Sequence, residues 1–177
     1  MSKRHFVLVM AIAGILCFTV PALLHAQFVP EKSYLGPSIG FYFHGSVPIL
    51  GANYEYGMNV KDFGNVGLGG LFRYWSYDLG YWSYTDVMIG AQGNYHFKLT
   101  ERKFDPWVGL VLAYDAGSVS WKGPSGWYWA EPAYGGFFLG AHAGARYWVS
   151  PSLALNGRIG FGSFSYGTID LGVDFKF

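Results

Sequence analysis

TIDLGVDFKF, residues Thr168 to Phe177, alternates without a break. Ile169, Leu171, Val173, Phe175 and Phe177 are apolar, whereas Thr168, Asp170, Gly172, Asp174 and Lys176 are polar or tiny. Period two defines a strand with two unlike faces. The face carrying Asp170 and Asp174 cannot lie in apolar surroundings without partners. The other face must meet either a soluble core or lipid.

Working outward, the same alternation recurs seven times, over about Tyr34–His44, Ile49–Met58, Asn65–Trp75, Tyr84–Phe97, Pro106–Asp115, Gly135–Val149 and Leu153–Ser163. Together these predict eight strands of roughly ten residues, the length a tilted strand needs to cross a bilayer. Gly45–Pro48, Lys61–Asn65, Ser150–Ser152 and Phe164–Gly167 read as short connections, and Lys98–Asp105 as a charged turn. Ser76–Tyr84 and Ala116–Tyr134 are long and aromatic. If the first strand starts on the periplasmic side, both long connections fall outside, the asymmetry of bacterial barrels. The first and last outer connections are short.

Composition narrows the class. The 177 residues suit one domain; 20% are aromatic, 13% are charged and 26 are glycine. A soluble domain usually carries about 25% charge. Beyond the N-terminus there is no run of roughly 20 apolar residues, so an ordinary membrane helix is not expected. Low charge, many aromatics and many glycines then point to a membrane β-barrel. A soluble Gly-rich sandwich or lipocalin-like barrel competes, because it alternates in the same way. The formal net charge of +1 gives no electrostatic reason for a nucleic-acid partner.

Residues 1–26 read as a cleaved signal peptide. Lys3, Arg4 and His5 form a basic start, Phe6–Val20 an apolar stretch, and Ala26 a small residue before Gln27. The barrel domain is then 27–177. Cys17, the only cysteine, lies inside the leader. An exported mature chain would have neither a disulfide nor a thiolate site.

All intramembrane charge falls on one strand face: Glu55, Arg73, Asp86, Asp115, Arg146, Arg158, Asp170, Asp174 and Lys176. Glycine concentrates on that face too, as a narrow, side-chain-filled lumen requires. Tyr and Trp gather at strand ends, as interfacial girdles do. The leader, the dyad strands and the terminal pattern Leu171, Val173, Phe175, Phe177 resemble the small outer-membrane β-barrel superfamily of the OmpX, OmpA-transmembrane-domain and opacity-protein type. That resemblance implies an eight-stranded antiparallel up-and-down barrel. It also implies that Phe175 and Phe177 are read by a barrel-assembly machinery and that the last strand closes against the first. The superfamily hosts adhesins, pores, anchors and lipid-modifying enzymes, so it leaves function open.

The interior charges are the main constellation. Counted from strand ends, Glu55, Arg146 and Asp174 share a lower level, Arg158 and Asp170 a middle one, and Arg73, Asp86 and Asp115 the outer rim. Each level mixes signs, which allows pairing across a polar plug; a narrow ion path is the alternative. His44-Gly45-Ser46 lacks the orienting carboxylate and oxyanion site a hydrolase needs. His96 and His142 have no metal-ligand spacing and read as lumen hydrogen-bonders. Trp121, Trp127, Tyr128 and Trp129 form an outer-loop aromatic cluster, read as an interfacial belt or a surface for a partner. Lys122 is the one basic residue among them, too little positive charge for the groove that single-stranded nucleic acid would want. The reading is a non-enzymatic, monomeric or weakly associated envelope protein that contacts lipid and lipopolysaccharide. A small passive pore is the second reading and a lipid-modifying enzyme the third. No cofactor or metal is expected.

Overall fold

The computed structural model describes residues 28–42, 47–101, 103–124, 135–163 and 167–177. They form eight strands: β1 Ser33–Tyr42, β2 Pro48–Val60, β3 Gly64–Leu79, β4 Trp82–His96, β5 Phe104–Trp121, β6 Gly136–Trp148, β7 Leu153–Gly162 and β8 Gly167–Lys176. Each strand pairs antiparallel with its sequence neighbours, and β1 pairs with β8, so the sheet is a closed up-and-down barrel. At the seam Ser33 and Phe177 exchange both backbone hydrogen bonds at 3.0 Å. Pairing there covers Tyr34 and Leu35, skips Gly36 and Pro37, and resumes at Ser38. Proline has no N–H to offer a ladder.

The alternation of TIDLGVDFKF sorts as its chemistry requires. Ile169, Leu171 and Phe175 are exposed on the outer wall, whereas Asp170 and Asp174 are buried inside. Elsewhere Ile39, Leu50, Phe72, Ile89, Leu112, Leu139 and Leu155 face outward, and no charged residue interrupts them. A soluble barrel turns its charges outward. This one is inverted, with an apolar band around the outside.

Three strands run further than the sequence suggests. Ser76–Tyr84 is not a loop: β3 and β4 continue through it to the pair Leu79↔Trp82. Gly80 and Tyr81 make the turn, with Gly80 at φ 60, as a hairpin with glycine at its first central position demands. Likewise β5 runs on to Trp121, across the first part of the predicted Ala116–Tyr134 connection. The outward residues change character in this extension, to Ser76, Asp78, Ser83, Thr85, Ser118 and Ser120. The apolar band therefore ends near Tyr74, and the β3–β5 sheet stands above it. Alternation persisted in this stretch with aromatics on one face and small polar residues on the other, a pattern easily read as loop composition.

At the opposite end, where the described residues begin, residues 28–32 fold back beneath the barrel. Glu31 N–H donates to Gly57 O and Gly57 N–H to Lys32 O, both at 2.8 Å. The Tyr34 hydroxyl clasps Val29, donating to its carbonyl at 2.9 Å and accepting from its N–H at 2.7 Å. Phe28, Tyr34, Trp148 and Ala154 make a small apolar floor.

The interior is not polar throughout. Its upper half is a packed apolar cluster of Ile49, Leu71, Trp75, Met88, Val111, Ala113 and Phe138, with Tyr42, Val47 and Tyr77 against it. Charged side chains are confined largely to the layer between this ceiling and the floor. Glycine makes the crowding feasible: a Cβ at Gly67 would collide with the Glu55 carboxylate, and one at Gly144 with the Trp107 ring.

Phe138 and Phe137 are neighbours on opposite faces, one buried in the ceiling and one 75% exposed. Phe138→Ala should cost about 3 kcal/mol or more through the cavity it leaves, and Phe137→Ala much less. Denaturant unfolding of the two variants, refolded in the same detergent, checks the ordering.

Candidate functional site

The layer between ceiling and floor gathers side chains from seven strands, β2 to β8. Arg146 on β6 is at its centre, fully buried. Its Nε donates to Asp174 Oδ2 at 2.5 Å, its Nη2 to Glu55 Oε2 at 3.2 Å, and its Nη1 lies 3.5 Å from both Glu55 Oε1 and Asp105 Oδ2. Closed positions on a barrel wall make this convergence possible: β2 and β6 are diametrically opposite, and the eight-strand lumen is narrow enough for one arginine to span it. The guanidinium also lies over the Tyr34 ring, 4.9 Å from its centroid.

His96, the last residue of β4, bridges two of the same carboxylates. Nδ1 is 2.8 Å from Asp105 Oδ1 and Nε2 is 2.7 Å from Glu55 Oε1. Both ring nitrogens thus face acceptors, which suits the doubly protonated imidazolium. Phe28 from the N-terminal strap stacks on this ring at 3.8 Å. Asn94 donates to Glu55 at 2.6 Å and Asn156 to Asp174 at 2.7 Å. His142 bonds Asn94 at 2.6 Å. Every carboxylate of this lower network is held by at least one donor, the condition for keeping ions in a dry interior.

One level up, Arg73 on β3 pairs with Asp170 on β8 at 2.9 Å. Its remaining donors reach Asn53 Oδ1, Ala52 O and Phe72 O. Arg158 on β7 sits directly opposite Asp170 in the β7–β8 register, yet it bonds Gln92 Oε1 at 3.1 Å and lies over the Trp107 ring.

Several expectations change here. Glu55, Arg146 and Asp174 do share a level and touch. Arg73, expected at the outer rim, reaches the middle level and takes the carboxylate expected for Arg158. Strands in a barrel are tilted and staggered, so residues counted equally far from their strand ends do not lie at equal heights. Asp86 is fully buried on β4 opposite Trp75 and Gly117, and Asp115 is half-buried on β5 opposite Met88. Both stand apart from the Arg146 network. Asp105, read as part of a charged turn, is instead a central member of that network; β5 begins at Phe104, and the next residue points inward. Its signal was present, since Asp105, Trp107 and Gly109 keep the inward period of β5.

Trp121 does not face outward, as an interfacial belt would. It lies on the axis side of the extension, packed on Tyr81 and Trp82 at ring distances of 5.4 and 5.0 Å, near the stacked pair Tyr77–Tyr84 at 4.9 Å. Trp127, Tyr128 and Trp129 lie outside the described residues, as do His44 and Ser46 and the leader 1–26. On the outer face of the extension Lys122 pairs with Asp78 at 2.9 Å, and this hydrogen bond holds the Asp78 carboxyl below its usual value. Both partners are more than half exposed, so the pair adds little stability. Among the described residues no group of three or more His, Cys, Asp or Glu side chains is arranged to hold a metal ion.

No family model matches the sequence, and no curated protein matches it. Solved structures do. The N-terminal β-barrel domain of Pseudomonas aeruginosa OprF is 15% identical, with a TM-score of 0.57 over 84% of this chain and 98% of that one. The outer membrane protein OprG from Pseudomonas aeruginosa is 11% identical, with a TM-score of 0.60 over 87% and 99%. Ail, the attachment invasion locus protein of Yersinia pestis, is 14% identical, with a TM-score of 0.55 over 84% and 100%. At such identities the likeness is one of fold: the chain has the eight-stranded up-and-down architecture of the small outer-membrane barrels.

Removing Arg146 strands three buried carboxylates. Arg146→Met should destabilise the barrel by about 3–5 kcal/mol, and adding Glu55→Gln to Arg146→Met should recover part of the loss. Guanidinium unfolding midpoints of the single and double variants measure both effects.

Proposed function

We propose that the chain is an integral outer-membrane protein with a sealed lumen, non-enzymatic, with a structural role in the envelope and surface contacts through its upper hairpins. The observation that carries the reading is the stacking of an apolar ceiling over an ion-paired polar layer. Ion conduction needs a continuous wet path, and an apolar constriction excludes water from one. Ile49, Leu71, Trp75, Met88, Val111 and Phe138 close the upper half with side chains that offer an ion no ligand. The outward apolar band supports residence in lipid, because a water-facing wall of this composition would be an aggregation surface. The likeness to OprF, OprG and Ail supports the outer membrane in particular.

In this reading the N-terminal end is periplasmic and the β3–β5 extension rises on the cell surface, among lipopolysaccharide sugars. Ail, an attachment protein by name, supports surface contact as a second role. The enzyme alternative gains no support from the lumen: His96 bonds carboxylates and His142 an amide, so neither holds a hydroxyl nucleophile. The barrel is monomeric or weakly associated. Phe175 and Phe177 serve as the signal for the barrel-assembly machinery, with Phe177 completing the seam against Ser33.

Two measurements test this. Purified barrel in planar bilayers should give no stable single-channel steps, and the double variant Trp75→Ala/Phe138→Ala should introduce leak; steps in the unaltered protein that change with Arg158→Ala would establish the pore reading instead. Deleting Phe177 should lower the fraction of protein assembled in the outer membrane several-fold, read by heat-modifiable gel mobility, while refolding in detergent changes far less.

A further inference from the structure

Arg158 is the one lumen arginine that forms no ion pair with a carboxylate among the described residues. It is 94% buried by its 6% exposure, its only hydrogen bond runs from Nη1 to a neutral amide, and its Nε has no hydrogen-bond partner among the described residues. A guanidinium removed from water without a counter-charge is unfavourable by several kcal/mol in general, so the surroundings of this group call for an account.

Beside it lies a cavity of about 40 Å³. Arg158, Arg73, His142 and Thr168 supply its polar wall, and Leu71, Met88, Val111 and Phe138 its apolar one. Asp170 also borders it: Oδ2 accepts from Arg73, whereas Oδ1, packed over Gly40 of β1, has no hydrogen-bond partner among the described residues. No residue of β1 or β2 lines the cavity. The wall therefore presents two guanidinium groups against one carboxylate that Arg73 has neutralised. The acidic groups of the lower network point at Arg146 and His96 instead.

We propose that this cavity binds one monatomic anion, chloride in its natural setting, on Arg158 Nε with Thr168 and Arg73 beside it. Size selects the class. One water takes up roughly 10–15 Å³ of such free space, so about 40 Å³ admits a small ion with a water or two and not an organic anion with its substituents. Shape agrees: a spherical halide tolerates apolar contact with Met88, Val111 and Phe138 on one side, while an oxyanion would need donors all round. The anion would complete the middle layer as Asp174 and Glu55 complete the lower one. The proposal is independent of whether the lumen conducts.

The test uses the mature barrel in detergent at fixed ionic strength. Its thermal midpoint should rise by several degrees, saturably, in chloride or bromide relative to gluconate, which is too large to enter. Arg158→Gln should abolish the difference between salts. Because that variant alters a buried side chain on which folding also depends, crystals of the unaltered protein grown in bromide supply an independent readout: an anomalous peak within hydrogen-bonding distance of Arg158 Nε. Equal midpoints in all salts, a salt effect that survives Arg158→Gln, or an ordered water without anomalous signal at that position would each overturn the proposal.

Discussion

Three carboxylates from three strands converge on the guanidinium of Arg146, and none of the four groups is tolerable in that place alone. Each ion left unpaired in the interior would cost several kcal/mol. The backbone ladder joins only neighbouring strands, so by itself it specifies a tube without fixing its cross-section. Glu55 on β2 and Arg146 on β6 lie on opposite walls, and their contact ties together strands that share no hydrogen bond. Asp105, Asp174 and His96 extend that tie around the circumference. Small residues such as Gly67 follow from the same constraint, since the space they leave is where Glu55 lies.

The lumen divides by chemistry along its axis. An aromatic floor closes one end, an apolar ceiling the other, and the paired charges sit between, away from bulk water, while Asp86 and Asp115 stand level with the ceiling residues Trp75 and Met88. Such separation strengthens each ion pair, because the local dielectric falls, and makes each unmet charge costlier for the same reason. It also explains why the N-terminal strap matters to the polar layer: Phe28 stacks on His96 and shields it from below. Sealing and charge pairing are thus one arrangement seen from two directions.

Much of the fold was legible in the sequence because period two survives any change of register. Eight alternating segments predicted eight strands, and the charged face proved to be the inner one. Depth was less legible. Arg73 meets Asp170 only because the staggered barrel brings their levels together, and stagger is a property of the closed sheet, not of any one strand. Asp105 was hidden by its charged neighbours Lys98, Glu101 and Lys103. The ceiling left a trace that alternation counting passes over. Pro48-Ile49-Leu50, Val87-Met88-Ile89, Leu110-Val111-Leu112 and Phe137-Phe138-Leu139 are local runs in which both faces are apolar, and a run apolar on both faces marks a strand covered on both sides. Pro48–Leu50 and Phe137–Leu139 lie at the upper ends of their strands, and the other two runs near mid-strand.

The interruption at Gly36 and Pro37 has a mechanical meaning. β1 and β8 share seven register pairs, whereas β3 and β4 share fifteen. Circumferential strength is therefore uneven: a force that widens the ring is resisted least along the line where its two chain ends meet. The tube behaves like a rolled sheet with a stitched edge that misses two stitches in its middle.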